Sequence, residues 1–254
     1  MRYNAHVIVL AIDTCDWRGS VAVLQDERTL GVVSHDSRED YSSWLLPAVG
    51  EVLEHGGLRL GDMEAYAVAS GPGSFTGVRV GLTTVKAWSE VYAKPVAAVS
   101  RMEAIAAQAV NRKRAVAAFV DAQRGQVFGS VYRGGPGCLS RIGQEMVISP
   151  GNFVEEAIKL ADDDGISWVS PDPDLLIGEA AWKERERRGE RIERVPAMVA
   201  GLIGRIGLRL VREGKTTDAL SLDANYVRRS DAEIFWKGAS PLSEKLATNS
   251  RHGK

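Results

Sequence analysis

A long-range repeat constrains this chain more than any other feature. Leu10-Ala11-Ile12-Asp13, an apolar run ending in aspartate, leads through a polar turn, Thr14 to Gly19, into a second apolar run, Val21-Ala22-Val23. The same order returns as Ala118-Phe119-Val120-Asp121, the turn Ala122-Gln123-Arg124-Gly125, and Val127-Phe128, which places the two aspartates 108 residues apart. Stacked solenoid units recur at roughly 20–50 residues, so a period this long points to a duplicated domain. A chain of 254 residues is long enough to bury a core in each half.

The first half opens with three β-rich runs, His6 to Asp13, Ser20 to Leu24 and Leu30 to Ser34, which read as an antiparallel meander. A helix capped by Ser42 or Ser43 then runs to Glu54 and stops at Gly56-Gly57, because glycine accepts the left-handed conformation at a helix end. A buried strand, Ala65 to Ala69, a glycine loop, Gly71 to Gly77, a long helix, Thr76 to Tyr92, a strand, Val96 to Val99, and a helix, Arg101 to Val110, follow. Strands followed by alternating helix and strand predict an α/β layer architecture, with a boundary near Ser100. In the second half Arg114 to Asp121, Gln126 to Tyr132 and Cys138 to Ile148 read as strands. Asn152 to Leu160 and Leu202 to Val211 read as helices, Asp162 to Gly165 as a turn, and residues 231–254 as a loose tail. Lys183 to Arg194 alternates Glu with Arg and Lys and reads as a solvated helical face.

The charge balance, 32 basic against 33 acidic side chains, argues against a domain that grips nucleic acid unaided. The longest apolar runs, Val7 to Ile12 and Ala115 to Val120, are far short of the ~20 residues of a membrane span. No secretory signal is visible at the N-terminus, so the expected location is the cytoplasm. Cys15 and Cys138 are expected to be two buried small residues rather than a bridge. His6, His35, His55 and His252 show no paired-ligand spacing, so no metal site is expected, and no nucleophile motif suggests a catalytic residue. Asp13 and Asp121 are the best ionisable candidates, although aspartate at a strand-to-turn corner is also an ordinary turn former.

Glycine is in excess at 26 residues, and part of that excess lies in Gly71-Pro72-Gly73-Ser74-Phe75-Thr76-Gly77. A P-loop would need Lys after its last glycine, where Val78 stands, and a dinucleotide fingerprint would need glycine at Thr76. The loop is therefore either a tight turn capped by Ser74 or Thr76 or an anion site at a helix N-terminus. The helix after it carries two apolar stripes, Val78, Leu82, Val85, Ser89 and Tyr92 on one side and Val80, Thr84, Ala87 and Val91 on the other. Packing on one sheet needs only one stripe. Gly73, Gly77 and Gly81 recur every fourth residue and would admit another backbone. Trp44, Leu45, Leu46, Ala48, Val49, Val52 and Leu53 give the preceding helix the same excess. Burial between two layers of one domain and contact with a partner both account for these doubled faces.

Four blocks together resemble the TsaB (YeaZ) family: Ile8 to Thr14, Leu45-Leu46-Pro47, Gly71 to Gly81, and Val120 to Val127. Leu175 to Gly178 and Tyr226-Val227-Arg228 extend the likeness weakly into the second half. The resemblance implies a duplicated actin-like (ASKHA, ribonuclease H-like) fold, two subdomains each with a mixed sheet flanked by helices. Residues 1–100 would form the first, completed by the helix near 197–213, and 101–230 the second. It implies a non-catalytic subunit of the complex that forms threonylcarbamoyladenosine at position 37 of tRNAs reading codons that begin with A. The partners implied are a TsaD-like transferase and a TsaE-like ATPase, with tRNA reached only through the complex and a homodimer open to the chain alone.

The heterodimer of that family is built from the helices matching Ser43 to Glu54 and Thr76 to Tyr92, which assigns partner contact to Trp44, Leu45, Ala48, Val52, Gly73, Gly77, Val78, Gly81, Leu82 and Val85. Asp13, Thr14 and Asp121 would be remnants of two phosphate hairpins. Cys15-Asp16-Trp17-Arg18 stands where such a hairpin needs small residues, so no cofactor is expected for the isolated chain, and ATP or ADP would enter only at the partner interface. The stretch Glu39 to Pro47 lacks the metal-binding histidine pair of the transferase relative. The alternative is a stand-alone actin-fold ATPase or phosphotransferase.

Overall fold

β-branched and small apolar residues between polar turns form β1 (Ile8–Asp13), β2 (Arg18–Gln25) and β3 (Arg28–Asp36), the expected meander, in a computed structural model that describes residues 6–37, 39–112, 114–135, 138–161 and 165–227. Then come α1 (Tyr41–His55), β4 (Ala65–Gly71), α2 (Phe75–Tyr92), β5 (Val96–Ser100) and α3 (Arg101–Ala106). The strands make one sheet in the order β3-β2-β1-β4-β5. β1 runs antiparallel to β2 and parallel to β4, so it is central and covered on both faces, which explains its uninterrupted apolar sequence.

The second half repeats this plan. β6 (Ala115–Asp121), β7 (Val127–Gly135), β8 (Cys138–Ile148), β9 (Ile166–Ser170) and β10 (Ile192–Arg194) pair in the order β8-β7-β6-β9-β10. β6 is antiparallel to β7 and parallel to β9, as β1 is to β2 and β4. Asp13 pairs with Ser20 and Asp121 with Val127 across equivalent hairpins. The repeat is thus a repeat of topology. α4 (Pro150–Leu160), α5 (Asp174–Ile177) and α6 (Ala180–Arg187) accompany the second sheet, where Phe119, Phe153, Trp168 and Trp182 form a continuous series of ring contacts. α7 (Ala200–Arg212) returns to the first sheet and packs on β1, β2, β4 and β5, opposite the face covered by α1 and α2.

Several expectations are corrected. α1 starts at Tyr41, with Asp40 rather than Ser42 or Ser43 at the N-cap position. α3 stops at Ala106, and Val110 is exposed, because Ala107 to Ala109 close into a turn. Cys138 is exposed at the start of β8, whereas Cys15 is buried. Lys183 to Arg194 is not one solvated face: α6 ends at Arg187, Gly189 turns the chain at φ 87°, and β10 takes over. Arg185 in this stretch is buried and ion-paired to Glu190, which also accepts the Trp168 indole N–H at 2.6 Å. Most of the turn expected at Asp162 to Gly165, and the whole tail, 231–254, lie outside the described residues.

Candidate functional site

A cleft of about 1100 Å³ opens where the turn after β1, the N-termini of α1 and α2, the β6–β7 turn and the chain near Tyr226 converge. Asp13 lies beneath it, fully buried. Its carboxylate accepts the Cys15 backbone N–H at 2.9 Å and Arg101 Nε at 3.1 Å. Arg101, only 1% exposed, also donates through Nη2 to Asp16 at 3.2 Å and to the Ala197 carbonyl at 3.3 Å. Asp16 in turn accepts from Arg18 Nε and Nη2 at 3.2 and 2.8 Å. Arg18 then closes a two-point contact on Asp172, both bonds 2.9 Å. The series Asp13–Arg101–Asp16–Arg18–Asp172 ties β1 and α3 of the first half to the loop after β9 in the second. In this series two guanidinium groups face three carboxylates, and Asp13 engages one oxygen with the Cys15 N–H and the other with Arg101.

Burial pushes the Asp16 carboxyl up, but the charges of Arg101 and then Arg18, with hydrogen bonds from Arg18 and Trp17, outweigh it and hold the group below its ordinary value of 3.8. A depressed folded-state pKa adds stability that is fully present above the unfolded value and lost as pH falls toward the folded one. Wild type is therefore expected to lose more of its urea midpoint between about pH 5 and about pH 3 than Asp16→Asn does. Equal losses in the two chains would remove Asp16 from the account. Burial, then the Asp13 charge, raises the Cys15 thiol well above its usual range, so that sulfur is a packed thiol rather than a nucleophile.

Thr14 and the glycine loop form a second layer. The Thr14 hydroxyl donates to the Gly77 carbonyl at 2.7 Å, and the Ser74 N–H donates to the Cys15 carbonyl at 2.7 Å. Ser74 caps α2 by accepting the Gly77 N–H at 3.3 Å. A Cβ on Gly77 would sit 2.0 Å from the Thr14 carbonyl oxygen, and one on Gly73 2.2 Å from that of Cys15. Gly73 and Gly77 do admit another backbone, but it is this chain's own β1–β2 turn, and Gly81 admits the Thr14 side chain. The assignment of Gly73, Gly77 and Gly81 to partner contact is corrected accordingly. Asp121, on the cleft's other side, accepts the Gln123 N–H at 2.6 Å and its side-chain amide at 2.8 Å, and so shapes its own turn.

A family model described as "TsaD: tRNA N6-adenosine threonylcarbamoyltransferase" matches residues 20–173, more than half of the chain. The chain is 27% identical over 237 residues to the tRNA threonylcarbamoyladenosine biosynthesis protein TsaB of Bacillus subtilis, covering 90% of this chain and 97% of that one. It is 29% identical to the Escherichia coli protein of the same name, at 90% and 96% coverage. A solved structure of YeaZ from Pseudomonas aeruginosa superposes with a TM-score of 0.67 at 25% identity, covering 87% of this chain and 99% of that one. The chain belongs to the TsaB (YeaZ) family. Its two five-stranded mixed sheets of equivalent order are the duplicated actin-like fold.

In this TsaB-family chain the two helices of the first half divide their apolar residues between core and surface. Leu45, Ala48 and Val52 of α1 and Val78, Leu82 and Val85 of α2 are buried in the chain's own core. For Ala48, Val52, Val78, Leu82 and Val85 the assignment to partner contact is therefore corrected, since a residue already enclosed by its own chain offers little to a second protein, whereas Leu45 still lines the groove between the helices. Trp44 is half-buried, with its ring 4.8 Å from that of His35 and 5.8 Å from that of Tyr41. The exposed residues of these helices include Leu46, 59% exposed, Gly50, Thr83, Ala87 and Val91, 74% exposed, together with Glu51, Glu54, Arg79 and Glu90, while Val80 is half-buried against the core. Leu46, Gly50, Thr83, Ala87 and Val91 are uncharged. Beside them a groove of about 490 Å³ runs between α1 and α2, lined by Leu45, Leu46, Phe75, Arg79, Val80 and Thr83 among others.

The second stripe of α2 was visible in sequence, while the ion-pair series through Arg101 was not. No local spacing signals an inward arginine whose partners lie 85 and 88 residues away. Among the described residues no group of three His, Cys, Asp or Glu side chains is placed to hold a metal ion.

Proposed function

We propose that this TsaB-family chain is the non-catalytic scaffold subunit of the complex that transfers a threonylcarbamoyl group to N6 of adenosine 37 in tRNAs reading codons that begin with A. It docks a TsaD-like transferase through the outward faces of α1 and α2, and a TsaE-like ATPase joins the pair. The observation that carries this reading is the set of exposed uncharged residues on two adjacent helices, Leu46 and Gly50 with Thr83, Ala87 and Val91, next to a cleft where Asp13 and Asp16 are held by arginines. Apolar surface of this kind marks a protein contact. The match of the transferase family model spans α1 and α2, so a partner of that family would present equivalent helices. Like surfaces pair in a near-twofold arrangement.

A stand-alone phosphotransferase would need Asp13 available to a metal or nucleotide, and Arg101 occupies it. Nucleotide is therefore confined in this reading to the interface with the partner. The near-balanced charge suits a subunit that reaches tRNA through the complex. No helix among the described residues is long and apolar enough to cross a membrane, in keeping with a cytoplasmic location.

The test separates the two stripes of α2. Thr83→Asp with Ala87→Asp places two charges on the outward face, and the chain is expected to keep its unfolding midpoint while its affinity for a TsaD-like partner falls at least about thirtyfold. Leu82→Asp, on the buried stripe, is expected instead to unfold the chain. Partner affinity unchanged in the folded Thr83→Asp/Ala87→Asp chain would place the interface elsewhere.

A further inference from the structure

The groove between α1 and α2 and the chain's own C-terminal segment meet at Tyr226. Its ring packs on Phe75 at 5.1 Å between centroids, and its hydroxyl accepts Arg79 Nε at 2.9 Å. The Arg79 guanidinium lies 3.7 Å over the Phe75 ring. Phe75 and Arg79 both line the groove. One residue earlier, Asn225 donates its N–H to the Ser70 carbonyl at 2.8 Å, and its side-chain amide donates to Glu145, which Ser100 also reaches at 2.5 Å. The C-terminal segment is therefore pinned at the groove's rim, with residues 228–254 still to come.

Those residues contain one apolar cluster, Ile234-Phe235-Trp236, whose Phe235 and Trp236 are the segment's only aromatic residues. It follows the acidic Asp231 and Glu233, and Arg79 is the one formal charge among the described residues lining the groove. An extended chain spans about 3.3 Å per residue, so the eight steps from Val227 to Phe235 reach roughly 26 Å, enough to cross a helix pair. A groove of about 490 Å³ falls within the range of roughly 300–1,000 Å³ that encloses apolar groups.

We propose that Ile234-Phe235-Trp236 docks into the α1–α2 groove of its own chain, making the C-terminal segment a built-in competitor for that surface. A segment docked there needs no particular partner, so its occupancy is independent of the function proposed above. A segment that binds with a dissociation constant of about 0.1 mM when free, tethered at an effective concentration of about 1 mM, occupies the groove roughly nine-tenths of the time. Competitors then bind about tenfold more weakly.

The test uses the full chain and a fluorescent synthetic peptide with the sequence of Arg229 to Gly238. The peptide is expected to bind the full-length double variant Phe235→Ser/Trp236→Ser about tenfold more tightly than wild type, because the variant's own segment no longer fills the site. Adding Leu46→Asp, an exposed change on the groove wall, to the double variant is expected to abolish that binding while the unfolding midpoint stays in place. Equal affinity for wild type and double variant, no binding to either, or binding that survives Leu46→Asp each overturns the proposal. So does a wild-type mass that doubles with concentration when the double variant's does not, since the segment would then occupy a second copy.

Discussion

Replacing Arg101 with methionine is expected to lower the unfolding free energy by about 3–5 kcal/mol, the cost of leaving a buried charge without its partner. Methionine keeps most of the buried stem, so the loss is electrostatic and not a cavity. Asp13 beneath the cleft is fully buried, and without the guanidinium its one remaining partner of those described above is the Cys15 N–H. Asp16 loses one of its two arginines and keeps Arg18. The Ala197 carbonyl loses its donor as well.

Asp13→Asn in the same chain removes the stranded charge, so Arg101→Met/Asp13→Asn is expected to be more stable than Arg101→Met alone. A double-mutant cycle in urea reads the coupling, which for groups in one ion-paired network is of order 1–3 kcal/mol. Strict additivity of the two substitutions would mean that the pair is not coupled and that the cleft is held by packing alone.

The halves of the fold were legible because their signal is local. An apolar run ending at Asp13 or Asp121, a polar turn and a second apolar run specify a hairpin wherever they occur, and both hairpins formed, with Asp13 opposite Ser20 and Asp121 opposite Val127. Helical faces were legible for the same reason: both stripes of α2 are present at the expected spacing. Which stripe is buried was not, because periodicity defines faces without naming what covers them. Leu82 meets the chain's own sheet while Ala87 and Val91 turn outward, a distinction set by how β4 and β1 place the helix.

Gly73 and Gly77 carried a correct signal, close approach of a backbone, with the wrong owner assigned, since Cys15 and Thr14 stand about sixty residues away in sequence. Arg101, Arg18 and Asp172 had no local signal at all. Arg18 and Asp172 are 154 residues apart, and a salt bridge between duplicated halves exists only once both sheets are assembled. The alternation of Lys183 to Arg194 failed for a related reason: Arg185 finds Glu190 across the turn at Gly189 and is buried with it, which a helical count treats as surface.

Gly77→Ala is expected to destabilise the chain by roughly 3 kcal/mol, although alanine is the better helix former by about 1 kcal/mol. The new methyl would stand 2.0 Å from the Thr14 carbonyl oxygen, a backbone atom in the turn joining paired strands, with no flexible side chain to give way. Relief requires moving the first turn of α2 away from the β1–β2 turn, which breaks the Thr14 hydroxyl bond to the Gly77 carbonyl and the Ser74 bond to Cys15. Gly50 supplies the internal comparison. It lies in the middle of α1, and a Cβ there would meet nothing within 4 Å. Gly50→Ala is therefore expected to stabilise by up to about 1 kcal/mol.

For a chain of this size 1 kcal/mol moves the thermal midpoint by roughly 2–4 °C, so the two glycine-to-alanine changes should shift it in opposite directions, down by about 6–12 °C at Gly77 and up by about 2–4 °C at Gly50. The same displacement of the α2 N-terminus carries Phe75, Arg79 and Val80 with it. The groove variant test should therefore find peptide binding weakened in a Gly77→Ala chain held below its midpoint. A neutral or stabilising Gly77→Ala would mean that α2 does not rest on the β1–β2 turn, and with it would go the physical reason for glycine at every fourth position of this segment.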